Sequence, residues 1–179
     1  MCKKILIASR GEIACRIIKT ARKLGIKTVA ICSDPDLSSP HVNLADEYFN
    51  IRGNTSAESY LIIEKIIDVL KKSNADAVHP GYGFLSENVN FREEVQKAGK
   101  IFIGPPSQAI SLMGDKIESK KLAKSAGVSV VPGGLDVIKD LKHALKEAKK
   151  IGYPLMVKAS AGGGGKGMRI AFNDEELKE

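Results

Sequence analysis

Five glycines crowd around one lysine late in the chain: Gly162, Gly163, Gly164, Gly165 and Gly167 surround Lys166. A turn needs one or two glycines, and each further one costs backbone entropy on folding. The chemistry that offsets this cost is close approach of backbone N–H groups to an anion, most often phosphate. Gly162, Gly164 and Gly167 match G-x-G-x-x-G, but Met168-Arg-Ile-Ala171 then reads as a strand, and a dinucleotide fingerprint must open a helix. A P-loop fails too. Gly167 stands where Ser or Thr should follow Gly165-Lys166, and Ser160 occupies the place of the first glycine. What remains is a strand, a glycine loop and a strand: a hairpin flap over a nucleotide. The plainer alternative, a flexible linker, usually includes Ser and lacks flanking strands.

Lys158 lies in the strand that enters this loop, among Leu155, Met156, Val157 and Ala159. A lysine inside an apolar strand needs a partner, a ligand or an edge position facing water. Lys116 follows Met113-Gly-Asp115 at a helix start, where backbone N–H groups and a lysine together attract phosphate. Solvated helical lysines are common, so Lys116 gains its meaning from its company. His79 ends a strand ahead of Pro80-Gly-Tyr-Gly83, a loop of the kind that carries function in α/β proteins. The plainer reading there is a two-glycine turn with Tyr82 and Phe84 packed inward, and with Glu87 and Asn88 capping the next helix. Arg10-Gly-Glu12 lies on the first strand-to-helix turn, where Arg10 meets an anion or an acidic neighbour.

These groups need elements to position them. Lys4–Ser9, Thr28–Cys32, Ala75–His79 and Ile101–Ile103 read as strands, and Glu12–Leu24, Ser59–Lys72 and Asn88–Lys97 as amphipathic helices. Ser33–Pro40 reads as a polar loop. Strands alternating with helices imply βαβ units and a parallel sheet, whose ligands bind outside the carboxyl ends of the strands. Gly104-Pro-Pro106 is the best internal boundary, which divides the chain into 1–104 and 105–179. Beyond it the pattern predicts a short helix from Ser107, a helix over Asp115–Ala126 and a strand over Val128–Val131. A helix over Val137–Lys150 with Asp136 as N-cap follows, then strands over Pro154–Ala159 and Met168–Ala171. Asn173-Asp-Glu-Glu176 resembles a new helix start close to Glu179, so a second domain that is cut short is the expectation.

Composition narrows the class. The 179 residues are 43% hydrophobic and 27% charged, enough for a packed and soluble fold. No stretch approaches the ~20 apolar residues of a membrane helix, and Met1-Cys-Lys-Lys4 runs directly into a strand without a targeting segment. The net charge of +7 is carried mostly by lysine, aromatics are 5% and Trp is absent, which argues against a nucleic-acid binder and for anionic ligands. Cys2, Cys15 and Cys32 form no Cys-x-x-Cys and stand apart from His41, His79 and His143, so no zinc site is expected and a reducing compartment fits. Cys15 and Cys32 read as small buried hydrophobes.

Four motifs occur in one order: Ser9-Arg-Gly-Glu-Ile-Ala14, His79-Pro-Gly-Tyr-Gly-Phe-Leu-Ser-Glu-Asn88, Met113-Gly-Asp-Lys116, and Lys158 through Met168. Together they resemble the N-terminal part of the biotin carboxylases, over essentially the whole chain. Asp115–Lys120 and Lys166–Ala171 look most like the acyl-CoA carboxylase branch that acts on propionyl-CoA. The resemblance implies an α/β fold: a Rossmann-like pre-ATP-grasp domain with a parallel sheet over 1–104, then the start of an ATP-grasp domain over 105–179 with the glycine hairpin in its mobile lid. It implies ATP-dependent carboxylation of biotin by bicarbonate through carboxyphosphate. Lys116, Lys158, Gly164 and Gly165 match the family's ATP-binding positions, while Tyr82, Gly83 and Glu87 would line the biotin side. ATP, Mg²⁺ and biotin on a carrier domain are the implied cofactors. Bicarbonate and a carboxyltransferase subunit are the implied partners, in the cytoplasm or, for a processed eukaryotic chain, the mitochondrial matrix.

There are departures from the family pattern. Ser9 replaces a usual Asn, Phe49–Glu58 lacks a Gly-Pro-rich turn, and Lys23 stands where an acidic residue commonly helps dimer contacts, which leaves the usual dimer open. The family takes its metal-binding carboxylates and catalytic Arg from a later segment, so no catalytic or metal-ligating residue is assigned among these 179. The chain alone is expected not to turn over. Two other classes compete: another ATP-grasp ligase, such as a carbamoyl-phosphate or purine-pathway enzyme, and a non-catalytic nucleotide-binding module. The His79–Asn88 motif argues against the former.

Overall fold

A computed structural model describes residues 2–134, 136–158 and 167–178, with only the backbone of Lys116. The chain divides into two compact units, Met1–Ser111 and Leu112–Glu179.

The first unit holds a five-stranded sheet in which every neighbouring pair is parallel. Its strands are β1 (Lys4–Ile7), β2 (Lys27–Cys32), β3 (Glu47–Asn50), β4 (Ala77–His79) and β5 (Ile101–Phe102), in the spatial order β3-β2-β1-β4-β5. The helices are α1 (Gly11–Lys23), α2 (Pro40–Leu44), α3 (Ile63–Lys72) and α4 (Val89–Lys97), with α5 (Ser107–Gly114) at the boundary. Successive strand residues point to opposite faces, and the core divides accordingly. Leu6 joins Val29, Ile31, Ile66, Leu70, Val78, Phe91 and Val95 on the face that packs α3 and α4. Ile5 and Ile7 join Ala14, Ile17, Ile18 and Ala21 against α1. Helical cover on both faces explains why β2 is apolar almost throughout, with Thr28 to Cys32 all buried.

The chain steps outward from β1 to β2 to β3, then returns to the other side of β1 for β4 and β5. The order therefore reverses between β1 and β4. Segments leaving the carboxyl ends of those two strands diverge and leave a crevice. Those segments are Ala8–Gly11 and Pro80–Gly83.

Three local features depart from the sequence reading. The stretch expected as a polar loop contains a 3-10 turn at Asp34–Asp36 followed by α2. Strand β3 carries no alternation to betray it, because it is a sheet edge with Glu47 and Tyr48 exposed. Helix α3 starts at Ile63 rather than Ser59. The Ser59 hydroxyl donates to the Thr55 carbonyl at 2.6 Å, a local side-chain bond that competes with helix.

The second unit contains α6 (Lys116–Ser125), α7 (Leu141–Ile151) and the antiparallel hairpin of β6 (Leu155–Lys158) and β7 (Met168–Ala171). The expected strand over Val128–Val131 is absent. The segment pairs with no strand among the described residues, and Val128 and Val131 face solvent. The cap of α7 is Asp140, which accepts the His143 N–H at 2.7 Å, so the helix starts four residues later than the Asp136 cap implied. Asn173 accepts from the N–H groups of Glu175 and Glu176, so the expected cap is formed, but over a turn rather than a helix. Among the described residues no helix is long and apolar enough to cross a membrane.

Residues 1–111, produced alone, are expected to unfold in one cooperative transition, because both core layers and the whole five-stranded sheet lie within them. Ile66→Ala in that protein should cost roughly 2–5 kcal/mol, read from the shift in urea midpoint at unchanged slope.

Candidate functional site

A cleft of about 450 Å³ opens at the switch point, lined by Ser9 and Arg10 from the turn after β1, by Gly11, Glu12 and Ile13 from the start of α1, and by Tyr82, Gly83 and Phe84 from the loop after β4. The two walls touch closely. A Cβ on Gly81 would lie 2.6 Å from the Ser9 side chain, and Gly81 has φ +68°, so only glycine fits there. The turn is held from beneath by His79, whose Nδ1 accepts the Gly81 N–H at 3.0 Å. That bond requires an unprotonated Nδ1, and burial of the imidazole lowers its pKa in keeping with this. Across the cleft the Tyr82 hydroxyl donates to Glu12 Oε1 at 2.8 Å, which raises the tyrosine pKa.

Behind the cleft lies a buried polar cluster centred on Asp36, which is 5% exposed. Arg10 Nη2 donates to Asp36 Oδ1 at 2.6 Å, and the Tyr60 and Ser33 hydroxyls donate to Oδ2 at 2.7 and 2.8 Å. The Ser33 N–H in turn donates to Tyr60 Oη at 3.1 Å. Tyr60 stacks on Phe84, with ring centroids 5.1 Å apart and planes within 2°. Arg10 lies over the same tyrosine ring, 6.0 Å from its centroid. Phe84 has φ +41°, a conformation that costs a bulky residue about 1–3 kcal/mol and persists only where its surroundings enforce it. The Tyr60 ring stacked on it, within the core cluster that Phe84 packs against, supplies that enforcement.

Burial alone would push the Asp36 carboxyl up. The hydrogen bonds from Arg10, Tyr60 and Ser33 outweigh it and bring the group to about 2. Burial, with the Asp36 carboxylate beside it, pushes the Tyr60 phenol up, so Tyr60 remains a donor at any ordinary pH.

The structure places the sequence-derived residues as follows. Tyr82 and Gly83 share the cleft wall, while Glu87 is exposed on the turn before α4, outside that lining. Arg10 is paired with Asp36, the acidic-neighbour alternative. Lys158 ends β6, exposed, opposite Met168. Lys116 opens α6, where the Asp115 carboxylate already accepts the N–H groups of Ile117 and Glu118 at 2.8 and 2.9 Å. A phosphate at that helix end would compete with this cap. Glu118 pairs with Lys121 at 3.0 Å. Gly164, Gly165 and the rest of the glycine loop through Lys166 lie outside the described residues. Of the cysteines, Cys32 is buried in the core as expected, whereas Cys2 and Cys15 are partly exposed; all three are free thiols.

Asp36, Tyr60 and Ser33 escaped the sequence reading. Two aspartates in Asp34-Pro-Asp36, one residue beyond a mostly apolar strand, were the available signal, since that position is the carboxyl end of a sheet strand.

Residues 1–110 match the family described as biotin carboxylase, N-terminal domain, and residues 115–179 match the ATP-binding domain of the carbamoyl-phosphate synthase L chain. The propionyl-CoA carboxylase alpha chain of Ruegeria pomeroyi is 58% identical over 179 residues, all of this chain and 26% of that one. The mitochondrial propionyl-CoA carboxylase alpha chain of Mus musculus is 57% identical over 176 residues, 98% of this chain and 24% of that one. Among solved structures, a Campylobacter jejuni biotin carboxylase in a beta-gamma-ATP complex matches with TM-score 0.94 at 45% identity, over 99% of this chain and 40% of that one. The biotin carboxylase domain dimer of Hydrogenobacter thermophilus 2-oxoglutarate carboxylase, with MgADP, ADP and bicarbonate, matches with TM-score 0.91 at 49% identity, over 99% of this chain and 39% of that one. The chain thus spans about a quarter of the length of the curated relatives it matches.

The Asp36 cluster makes the first unit sensitive to acid. The folded carboxyl titrates near 2 and the unfolded one near 3.8, so its stabilising contribution is complete above about pH 4 and is lost as pH falls towards 2. Asp36→Asn should remove about 2 kcal/mol at pH 7 and flatten this acid limb. Urea midpoints measured from pH 6 down to pH 2.5 check both, and a parallel downward shift with an unchanged acid limb would count against the assignment.

Proposed function

This chain belongs to the biotin carboxylase N-terminal-domain family, and on that premise we propose that it is the N-terminal part of an ATP-dependent biotin carboxylase. The whole protein would carboxylate biotin with bicarbonate through carboxyphosphate, as part of an acyl-CoA carboxylase with propionyl-CoA as its acyl substrate. The observation that carries the reading is the sequence of two family matches in one chain, biotin carboxylase over 1–110 and an ATP-binding domain over 115–179. The first match sets this reading above another ATP-grasp ligase, because the second family alone is shared with carbamoyl-phosphate synthase. The naming of relatives as propionyl-CoA carboxylase alpha chains supports the acyl-CoA branch.

In this reading residues 1–104 form the pre-ATP-grasp domain and 105–179 begin the ATP-grasp domain. ATP, when bound, supplies the phosphoryl group that activates bicarbonate. Lys116 and Lys158 neutralise its phosphates, and backbone N–H groups of Gly164 and Gly165 approach them. The exposure of Lys158 at a strand end, next to the glycine motif, supports its part. Tyr82 and Gly83, with Glu87 beside them, form the biotin side, and the Tyr82–Glu12 bond orients the phenol there. The described carboxylates nearest Lys116 in sequence do not fit a magnesium site, because Asp115 caps α6 and Glu118 pairs with Lys121. No step is assigned to the metal through these residues. Biotin would arrive on a carrier domain and leave for a carboxyltransferase subunit, in the cytoplasm or the mitochondrial matrix.

Bicarbonate- and biotin-dependent release of ADP by the whole protein tests the reading, and ADP release indifferent to both would overturn it. In that enzyme Lys158→Gln should raise the KM for ATP roughly tenfold to a hundredfold, because a phosphate loses a charged donor. An unchanged KM for ATP removes Lys158 from the site.

A further inference from the structure

We propose that Asp36 is the positioning residue of the switch-point cleft, holding Arg10 on one wall and setting the Tyr82–Gly83 turn on the other through Tyr60 and Phe84. That the cleft takes a ligand rests on the function proposed above; the coupling between its walls does not.

Asp36 does not line the cleft. It touches Arg10, which does, and Tyr60, which stacks on Phe84, which also does. The carboxylate therefore ties the turn after β2 to the segment after β1 and to the segment between β3 and α3, and through Tyr60 to the loop after β4. The third connection matters most. Phe84 has φ +41° and follows Gly83 at φ +67° and Gly81 at φ +68°, so this loop runs through left-handed conformations on both sides of Tyr82. Two of those positions are glycine and adopt it freely; Phe84 is held there by its flat stack on Tyr60. Tyr60 in turn is fixed by its hydroxyl, which donates to Asp36 and accepts from the Ser33 N–H. Tyr82 itself is 63% exposed and makes its hydrogen bond to Glu12. Its direction is thus set by the backbone of the turn rather than by packing of its own ring. Losing the Asp36 charge releases Tyr60, then Phe84, then the turn, and the Tyr82–Glu12 bond is the last link.

The test reads that last link in the full chain without any ligand, so failure of the biotin carboxylase reading leaves its outcome unaffected. The Tyr82 phenol is titrated by NMR at a ¹³C-labelled Cζ. In the unaltered protein it should titrate above free tyrosine because of Glu12. In Asp36→Asn, which keeps the side chain's size, the midpoint should fall back to that of free tyrosine while far-UV circular dichroism stays that of the folded protein. A folded Asp36→Asn protein whose Tyr82 titrates as before overturns the proposal, since a residue that serves only stability does not move a distant exposed phenol. Where Asp36→Asn fails to fold, Phe84→Leu cuts the stack and leaves the carboxylate in place. The same fall is expected there, and an unchanged Tyr82 again overturns the coupling.

Discussion

A carboxylate shut away from water at the end of β2 governs the site. Asp36 is expensive to bury, and alone it would take up a proton rather than stay charged. Its donors reverse that balance: Arg10 supplies the counter-charge, and Tyr60 and Ser33 complete the lone pairs. Ser39 adds a longer contact at 3.3 Å. Removing any one partner leaves the others facing an under-satisfied charge, so the cluster is present whole or not at all. The sheet can form without it, since its strands are tied by their own ladder and two apolar layers. The loops at the carboxyl ends depend on it more, because Asp36 is the point at which the Arg10 side chain and the Tyr60 hydroxyl meet.

The topology makes such a device necessary. A sheet whose strand order reverses between β1 and β4 sends the following segments apart and leaves backbone exposed at the gap. The chain closes the base of that gap by bringing Gly81 against Ser9 and by using His79 as an acceptor for the Gly81 N–H. Above this floor the Tyr82–Glu12 bond spans the two walls, and the aromatic stack with its buried anchor backs the wall that carries Tyr82. The two glycines of Pro80-Gly-Tyr-Gly83 therefore do different work. Gly81 allows close approach, whereas Gly83, with open space around it, provides a left-handed bend.

Much of this was legible in the sequence, in proportion to how strongly local pattern dictates structure. The apolar strands, the helices α1 and α4 and the glycine-interrupted hairpin follow directly from period and punctuation. So does the parallel α/β class, because helices alternate with buried strands. The failures share a cause: the deciding partner is far away in sequence. Tyr60 lies within the helix expected over Ser59–Lys72, but its hydroxyl is claimed by Asp36, and the helix starts after it. Val128–Val131 has strand-forming residues and no strand to pair with among the described residues. Asp136 and Asp140 are equally good caps on paper; Val137 and Ile138 between them lower the helix propensity of the earlier start. Of the site, the Tyr82–Gly83 wall was visible from its motif, and the Asp36 anchor was not, since Asp34-Pro-Asp36 marks the carboxyl end of a strand but carries no local sign of which aspartate is buried.

The charge arrangement of the cleft limits what it can bind. Its one arginine is committed to Asp36 at 2.6 Å, and its one carboxylate, Glu12, accepts the Tyr82 hydroxyl. Each ionised group on the walls thus already has a partner, Glu12 across the cleft and Arg10 behind it. The guanidinium charge is therefore balanced from behind by Asp36, and what the cleft still offers an anion is its remaining guanidinium N–H groups and the uncapped first turn of α1. The chain supplies further candidates for phosphate recognition in its other compact unit, where Lys158 is exposed and the glycine motif follows. The two units therefore differ in what they expose: a charge-balanced cleft with a tyrosine at its rim in one, and a strand-end lysine in the other. That division matches the two families found in succession along the chain, one over 1–110 and an ATP-binding one over 115–179. A charge-balanced wall also makes the position of Tyr82 more important than the charge of the cleft. Selectivity there must come from geometry, and the geometry is anchored at a residue the ligand never meets.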